Sequence, residues 1–538
     1  MTARIRLNEG NRRWWTLAAM CFALFMIMLD NTVVNVALPS IQRDLGASLS
    51  SLEWTVNAYT LTFAVLLVTG GRLGDILGRR KMFLFGVVVF ALSSAAIGLA
   101  PDQTWLVAGR AIQGVGAAFM MPATLSIITV TFPAEERGRA IGTWAGVSAL
   151  ALAIGPVVGG ALTEYVTWRA IFFLNLPVAV GAVFVTLFAA RESRDESSRH
   201  TIDWPGITTI SVGLTALVLA LIEGNSWGWG SARIVSLLVV AAVSLVTFAI
   251  VERRVPEPMV DFSLFRSNTF VGTNAVAFIV SFAMLAMFFF VALYMQNILG
   301  YSAIEAGVRF LPSTLMIVLI APLAGRLTDR IGPRPLIVTG LSLVTIALFL
   351  QTRITVDTGY ALLLPAFVLM GIGMALTMSP MSTAAMNSVA AHKAGVASGI
   401  LSMSRMVGGT FGVAALGALF QHLARNDLAH SLAGTGISAT QRDQLVSGLG
   451  TASDAGQLPP VAVNAAHDAF IHALASGMWL SASVAAAGAL IAFFTIGGKP
   501  VPQVAVSAAA GVPAAEDPDL AREPERAAAT AEAVPAAR

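Results

Sequence analysis

Fourteen long apolar runs, separated by short polar stretches, organise this chain of 538 residues. Their approximate limits are 14–38, 52–71, 81–99, 105–129, 139–162, 170–190, 205–223, 233–251, 270–296, 307–325, 336–352, 359–383, 396–421 and 471–496. A helix crosses the hydrocarbon of a bilayer in about 20 residues. The pattern therefore predicts an all-α polytopic membrane protein with 14 transmembrane helices. The first run follows Arg4, Arg6, Arg12 and Arg13, as the core of a signal peptide would. It carries an aspartate, Asp30, near its middle and many more runs follow it, so an uncleaved first helix is expected.

The pattern repeats. Gly71-Arg72-Leu73-Gly74-Asp75-Ile76-Leu77-Gly78-Arg79-Arg80 returns as Gly325-Arg326-Leu327-Thr328-Asp329-Arg330-Ile331-Gly332-Pro333-Arg334, with six of ten positions identical. Gly114-Val115-Gly116 is echoed by Gly371-Ile372-Gly373, and Gly142 by Gly399. An internal repeat of this kind points to two halves built on one plan. Spans 1–6 then correspond to spans 9–14, and spans 7 and 8 are an insertion. The expected divisions are an N-terminal segment (1–13), a first six-helix bundle (14–190), a linker holding spans 7 and 8 (191–266), a second bundle (267–496) with a loop at 422–470, and a disordered tail (497–538).

Composition agrees with this picture: 56% of residues are hydrophobic and 12% charged, against roughly a quarter charged in soluble domains. The net charge of +3 comes with no basic block, so nucleic acid is not an expected partner. The lone cysteine, Cys21, excludes an internal disulfide. Short loops on one side carry Arg79, Arg80, Lys81, Arg137, Arg139, Arg253, Arg254 and Lys393, while 101–104 and 224–231 carry no Lys or Arg. By the positive-inside rule both termini and both cassettes face the cytoplasm, and loop 422–470 faces out. There is no Walker A pattern and no metal-binding constellation, so neither ATP nor a metal cofactor is expected.

A few polar residues break the apolar runs. A carboxylate at the depth of Asp30 must pair or protonate, which suits a proton-coupling residue or a structural hydrogen bond. Asn31 and Asn35 are expected to share its polar seam. Arg110, in span 4, is a fixed cation that could pair with Asp30, hold an anionic ligand or snorkel outward. Gln113 lies near the same face. Arg405, in span 13, has no acidic neighbour in sequence. The cassette residues Gly71, Asp75, Arg79, Arg80, Gly325, Asp329 and Arg334 suit a cytoplasmic gate that forms in one state and breaks in another. Gly155, Pro156, Gly159 and Gly160 suit a bend or sliding seam in span 5.

These motifs resemble those of the major facilitator superfamily. The cassettes resemble its loop signature. Leu29 to Pro39 is similar to the span 1 signature of the superfamily's fourteen-span drug:proton antiporters, Arg110 to Gly116 to their span 4 signature, and Gly155 to Gly160 to their antiporter signature. The resemblance implies the major facilitator fold, two six-helix bundles plus two central-linker helices. It implies alternating access and proton-driven export of amphiphilic drugs or antibiotics across the inner (cytoplasmic) membrane. It assigns coupling and ligand roles to Asp30 and Arg110, and the cytoplasmic gate to Gly71 and Asp75. The expected partners are a small amphiphilic substrate, protons and lipids, with no cofactor beyond the proton gradient and a functional monomer. Alternatives are a specific exporter of an endogenous metabolite, siderophore or amino acid, and a non-transporting receptor or scaffold.

Overall fold

The structure is a computed structural model that describes residues 9–46, 49–196, 201–356, 358–432 and 460–497. Among these, fourteen helices are long and apolar enough to cross a membrane, and there are no strands. They are α1 (Glu9–Leu45), α2 (Leu49–Leu77), α3 (Arg79–Gly98), α4 (Gln103–Thr131), α5 (Ala134–Tyr165) and α6 (Ala170–Ala189). Next come α7 (Trp204–Trp227) and α8 (Ala232–Glu252). The second set is α9 (Asn268–Asn297), α10 (Ala303–Ile331), α11 (Pro333–Gln351), α12 (Tyr360–Asn387), α13 (Ala394–Ser431) and α14 (Pro460–Thr495).

Helix ends follow local chemistry. Asp102 accepts the Trp105 N–H at the start of α4, and Ser302 with Glu305 forms a reciprocal capping box on α10. Gly78 and Gly332 sit at φ of 114° and 86° in the α2–α3 and α10–α11 turns. That backbone region admits glycine without strain, which is why both cassettes keep a glycine at this place. Helix α6 is interrupted at Leu174, dividing it into Ala170–Phe173 and Asn175–Ala189. Pro177 supplies no N–H to the Phe173 carbonyl, so the ladder breaks there.

Packing follows the repeat. In the first half α2 and α3 lie on α4, and α1 lies on α5 and α6; in the second, α10 and α11 lie on α12, and α9 lies on α13 and α14. The echoed glycines do equivalent work. A Cβ at Gly114 would run into α2 and one at Gly116 into α3; at Gly371 it would meet α10 and at Gly373 α11. Two seams join the halves, α2 with α13 and α5 with α10. The inserted α7 touches α2, α13 and α8, and Asn225 on it donates to the Ala414 carbonyl of α13 at 3.3 Å. Helix α8 keeps Val239, Val243 and Val246 exposed on its outer side, as a lipid-facing helix does.

Loop 422–470 is the point of difference. Helix α13 runs on to Ser431 and α14 starts at Pro460, so both ends of that segment are helical. A run of hydropathy stops at Gln421-His422, but an apolar stripe does not. Ala424 and Leu428 stay buried one turn apart, Phe420 packs edge-on against Phe470 at 5.1 Å, and His472 meets Asp427 at 2.6 Å. Residues 433–459, the heart of the expected loop, lie outside the described residues, as do 1–8 and the tail beyond Gly497.

Candidate functional site

Five helices of the first half converge on Asp30. Arg110 of α4 donates from Nη1 to Asp30 Oδ2 at 2.5 Å, and Gln113 donates from Nε2 to Asp30 Oδ1 at 2.9 Å. Asn175 of α6 also donates to Oδ1, at 3.1 Å. The donors are themselves fixed. Arg110 Nε reaches the Thr55 carbonyl of α2 at 3.0 Å and its Nη1 the Gln113 Oε1 at 2.6 Å. Gln113 and Asn175 both donate to the Ser94 hydroxyl of α3, at 2.8 and 3.2 Å. The Tyr59 ring lies 4.3 Å from the guanidinium carbon, a cation–π contact. Asp30 is 4% exposed and Arg110 1%.

Among the described residues, every hydrogen-bond partner of the Asp30 carboxylate is a donor. An ionised carboxylate only accepts, so the shell fits the charged form. A proton on either oxygen would face a donor and displace it. The cluster lies toward the end away from the cassettes: Ser94 is four residues, about 6 Å, from the end of α3, and Arg110 seven residues, about 10 Å, into α4.

Asn31 and Asn35 are not part of this shell. Asn31 donates to the Ile27 carbonyl at 3.0 Å and Asn35 to that of Asn31 at 2.9 Å, each back-bonding its own helix. Arg405 also stands apart. Its Nη2 donates to the Ser382 hydroxyl of α12, and its Nε is buried with no acceptor. Asn175, Ser94 and Thr55 were not singled out in the sequence. Asn175 carried the better signal, an amide in an apolar run two residues before a proline. Thr55 contributes only its carbonyl, which no side-chain pattern reveals.

The cassettes build the second constellation. Asp75 Oδ1 accepts from Arg79 Nε and Nη2 at 2.9 and 2.7 Å, and from the Gly395 N–H at 2.9 Å. Its Oδ2 accepts from the Val396 N–H at 2.9 Å. Asp75 thus caps the first turn of α13, in the other half, where the helix dipole favours an anion. Arg79 extends to the carbonyls of Ala391 and His392 at 2.8 and 3.0 Å. The mirror contact is made by Asp329, which accepts from the Gly138 and Arg139 N–H groups of α5 at 2.9 and 3.1 Å. Pro333 stands where Arg79 stands in the first copy, so Asp329 has no equivalent arginine. Arg334 instead lies 4.2 Å from the Phe493 ring, and the Arg80 N–H is taken by Glu192 at 3.0 Å.

Glycines bring these seams together. A Cβ at Gly71 would strike the Gly395 carbonyl, and one at Gly325 the Gly138 carbonyl. Arg137 adds a bond to Asn387 at 2.9 Å across the halves. The cassette face is therefore shut in this structure. In α5, Gly155 is filled against by Thr32 and Gly159 by Val33, both of α1, while Gly160 meets nothing within 4 Å. The helix is continuous through Pro156.

Comparison with known proteins gives a consistent result. Residues 20–413 match the family model described as Major Facilitator Superfamily. A tetracenomycin C resistance and export protein of Streptomyces glaucescens is 34% identical over 499 residues, 91% of this chain and 93% of that protein. A puromycin resistance protein of Streptomyces alboniger is 41% identical over 75% of this chain and 81% of its own length. A multidrug transporter protein of Bacillus subtilis is 33% identical over 79% and 78%. Among solved structures, the proton:xylose symporter XylE bound to 6-bromo-6-deoxy-D-glucose shares the fold, with a TM-score of 0.59 at 14% identity over 92% of this chain and 98% of that one.

Proposed function

The chain belongs to the major facilitator superfamily and is a multi-pass membrane transporter rather than an enzyme; we propose that it is a proton-coupled antiporter exporting amphiphilic drugs or antibiotics across the cytoplasmic membrane. Its relatives include antibiotic resistance and multidrug transport proteins, which supports the substrate class. The clustering of Lys and Arg in the cassette-side loops supports a cytoplasmic cassette face and cytoplasmic termini. On that orientation this structure is closed to the cytoplasm, and one chain holds a complete pathway.

The observation that carries proton coupling is the all-donor shell of Asp30. In the outward state a proton reaching Asp30 removes one acceptor and neutralises the partner of Arg110. The freed donors no longer hold α1, α4 and α6 in one arrangement. The loosened first half then favours release of the α2–α13 and α5–α10 seams, and the cassette face opens. Proton loss to the cytoplasm restores the ion pair. Gln113, Asn175 and Ser94 support the polar surroundings of this step. Arg405, with its Nε unsatisfied, favours a substrate that presents an acceptor oxygen.

The test is flux in proteoliposomes under an imposed pH gradient, with cationic dyes, neutral antibiotics and acidic aromatics as cargo. Wild-type protein should accumulate at least one class against its gradient, and Asp30→Asn should bind but not couple. Gradient-driven accumulation by Asp30→Asn equal to wild type would overturn the assignment.

A further inference from the structure

The inserted helix pair carries buried chemistry that the transport cycle above does not use. Helix α7 begins after Asp203, whose Oδ1 accepts the Gly206 N–H at 2.8 Å. Helix α8 ends at Glu252, whose Oε2 accepts the Val260 N–H at 3.0 Å. That second bond folds segment 256–264 back onto the helix end. One oxygen of each carboxyl is left over. Asp203 Oδ2 and Glu252 Oε1 are both buried and without a donor. Both converge on Gly206, where a Cβ would collide with the two of them, and the two carboxyls lie within hydrogen-bonding reach of each other. Asp203 is 9% exposed and Glu252 3%.

Two ionised carboxylates cannot face each other in such a place. Each only accepts, like charges repel, and burial adds a desolvation cost. The charged groups nearby do not resolve the conflict. Arg72 of α2 acts on Glu252 through space. Lys393, ahead of α13, is bonded to Asp261, and Glu257 accepts from Thr201 at 2.7 Å. His392 lines the adjoining cavity of about 240 Å³ with Arg72, Asp195, Met259 and Asp261. A single proton between the two free oxygens removes the conflict, making one carboxyl a donor and leaving the other a charged acceptor, a strong arrangement.

We propose that Asp203 and Glu252 hold one proton between Oδ2 and Oε1, making the cassette-face end of the inserted pair a proton-binding site separate from Asp30. The site stands independently of what the chain transports; its effect on transport rests on the reading given above. Loss of the proton places two charges against Gly206 and pushes the end of α8 from the start of α7. Segment 256–264 is pinned to that end and bridged by Asp261 to Lys393, next to the first turn of α13 that Asp75 caps. Raising the pH on the cassette face therefore loosens the seal there.

Infrared spectroscopy of the purified full-length protein tests this directly. At about pH 7 the wild type should show the carbonyl stretch of a protonated carboxyl that disappears on alkaline titration. Glu252→Gln and Asp203→Asn should each remove that band, because an amide N–H replaces the shared proton as donor, and Asp30→Asn should retain it. Absence of the band from wild type at every pH tested, or its survival in both substituted proteins, overturns the proposal. A bound cation in place of the proton would give no band and would also overturn it. Failure of pH-driven flux with the band present would sink the transport reading and leave the site intact.

Discussion

Asp30 and Arg110 together show what a buried ion pair demands. Removing one partner strands the other, at a cost of about 3–5 kcal/mol. Arg110→Ala should therefore lower the melting temperature and yield of the protein in detergent. The double variant Asp30→Asn/Arg110→Gln should recover much of that stability, since neutral amides satisfy the same shell, yet show no proton-driven flux. A different pair sets a pH limit. Burial raises the Asp261 carboxyl, but its bonds to Lys393 and Ser263 outweigh that and hold it down at about 2. A depressed carboxylate stabilises above its ordinary value and loses that contribution as the pH falls through the folded value. The bridge to Lys393 should thus be complete from about pH 5 upward. Asp261→Asn should change thermal stability by the same amount at mildly acidic and neutral pH, which melting curves at the two will check. The need for partners was legible in the residues, because a carboxylate and a guanidinium in apolar runs are each costly to bury alone; that Arg110 meets Asp30, and neither holds a ligand nor snorkels outward, was one of the readings left open. Asn31 and Asn35 misled, since an amide on a helix can satisfy itself on its own preceding turn.

Helix ends and helix crossings decide the gate. Losing a capping side chain costs about 0.5–2 kcal/mol, which is roughly a 2- to 30-fold change in an equilibrium. Asp75→Asn should shift the balance toward an open cassette face within that range. Asp329→Asn should shift it less, because Asp329 has no counterpart of Arg79. The readout is alkylation of a Ser398→Cys reporter, a position wholly buried in the closed seam. Gly71→Leu and Gly325→Leu should raise its labelling further, since each side chain would fill the space held by a carbonyl of the facing helix. The cassette repeat announced both turns and both aspartates. What it did not announce was the target of each carboxylate, because backbone N–H groups belong to every sequence alike.

The whole molecule is two similar halves with unequal duties. Both seams close on paired glycines, but the ion pair lies in the first half and Arg405 stands without an acidic partner in the second among the described residues. The Arg137–Asn387 contact spans the halves on the closed face. Cysteines at these two positions, joined by a short cross-linker, should lock that face shut and stop transport, with full recovery on cleavage. Retained flux in the locked protein would rule out rocking at the cassette face. The sequence by itself determined the number of helices and the residues too costly to bury alone. Those follow from local free energies, the transfer of apolar runs into lipid and the price of an unpaired charge. Only the tertiary structure decided that Asn175 completes the shell of Asp30 while Ser94 anchors its donors, that each cassette grips a helix of the opposite half, and that Asp203 meets Glu252. Such meetings depend on the angle and register at which distant helices cross, and no local pattern encodes these.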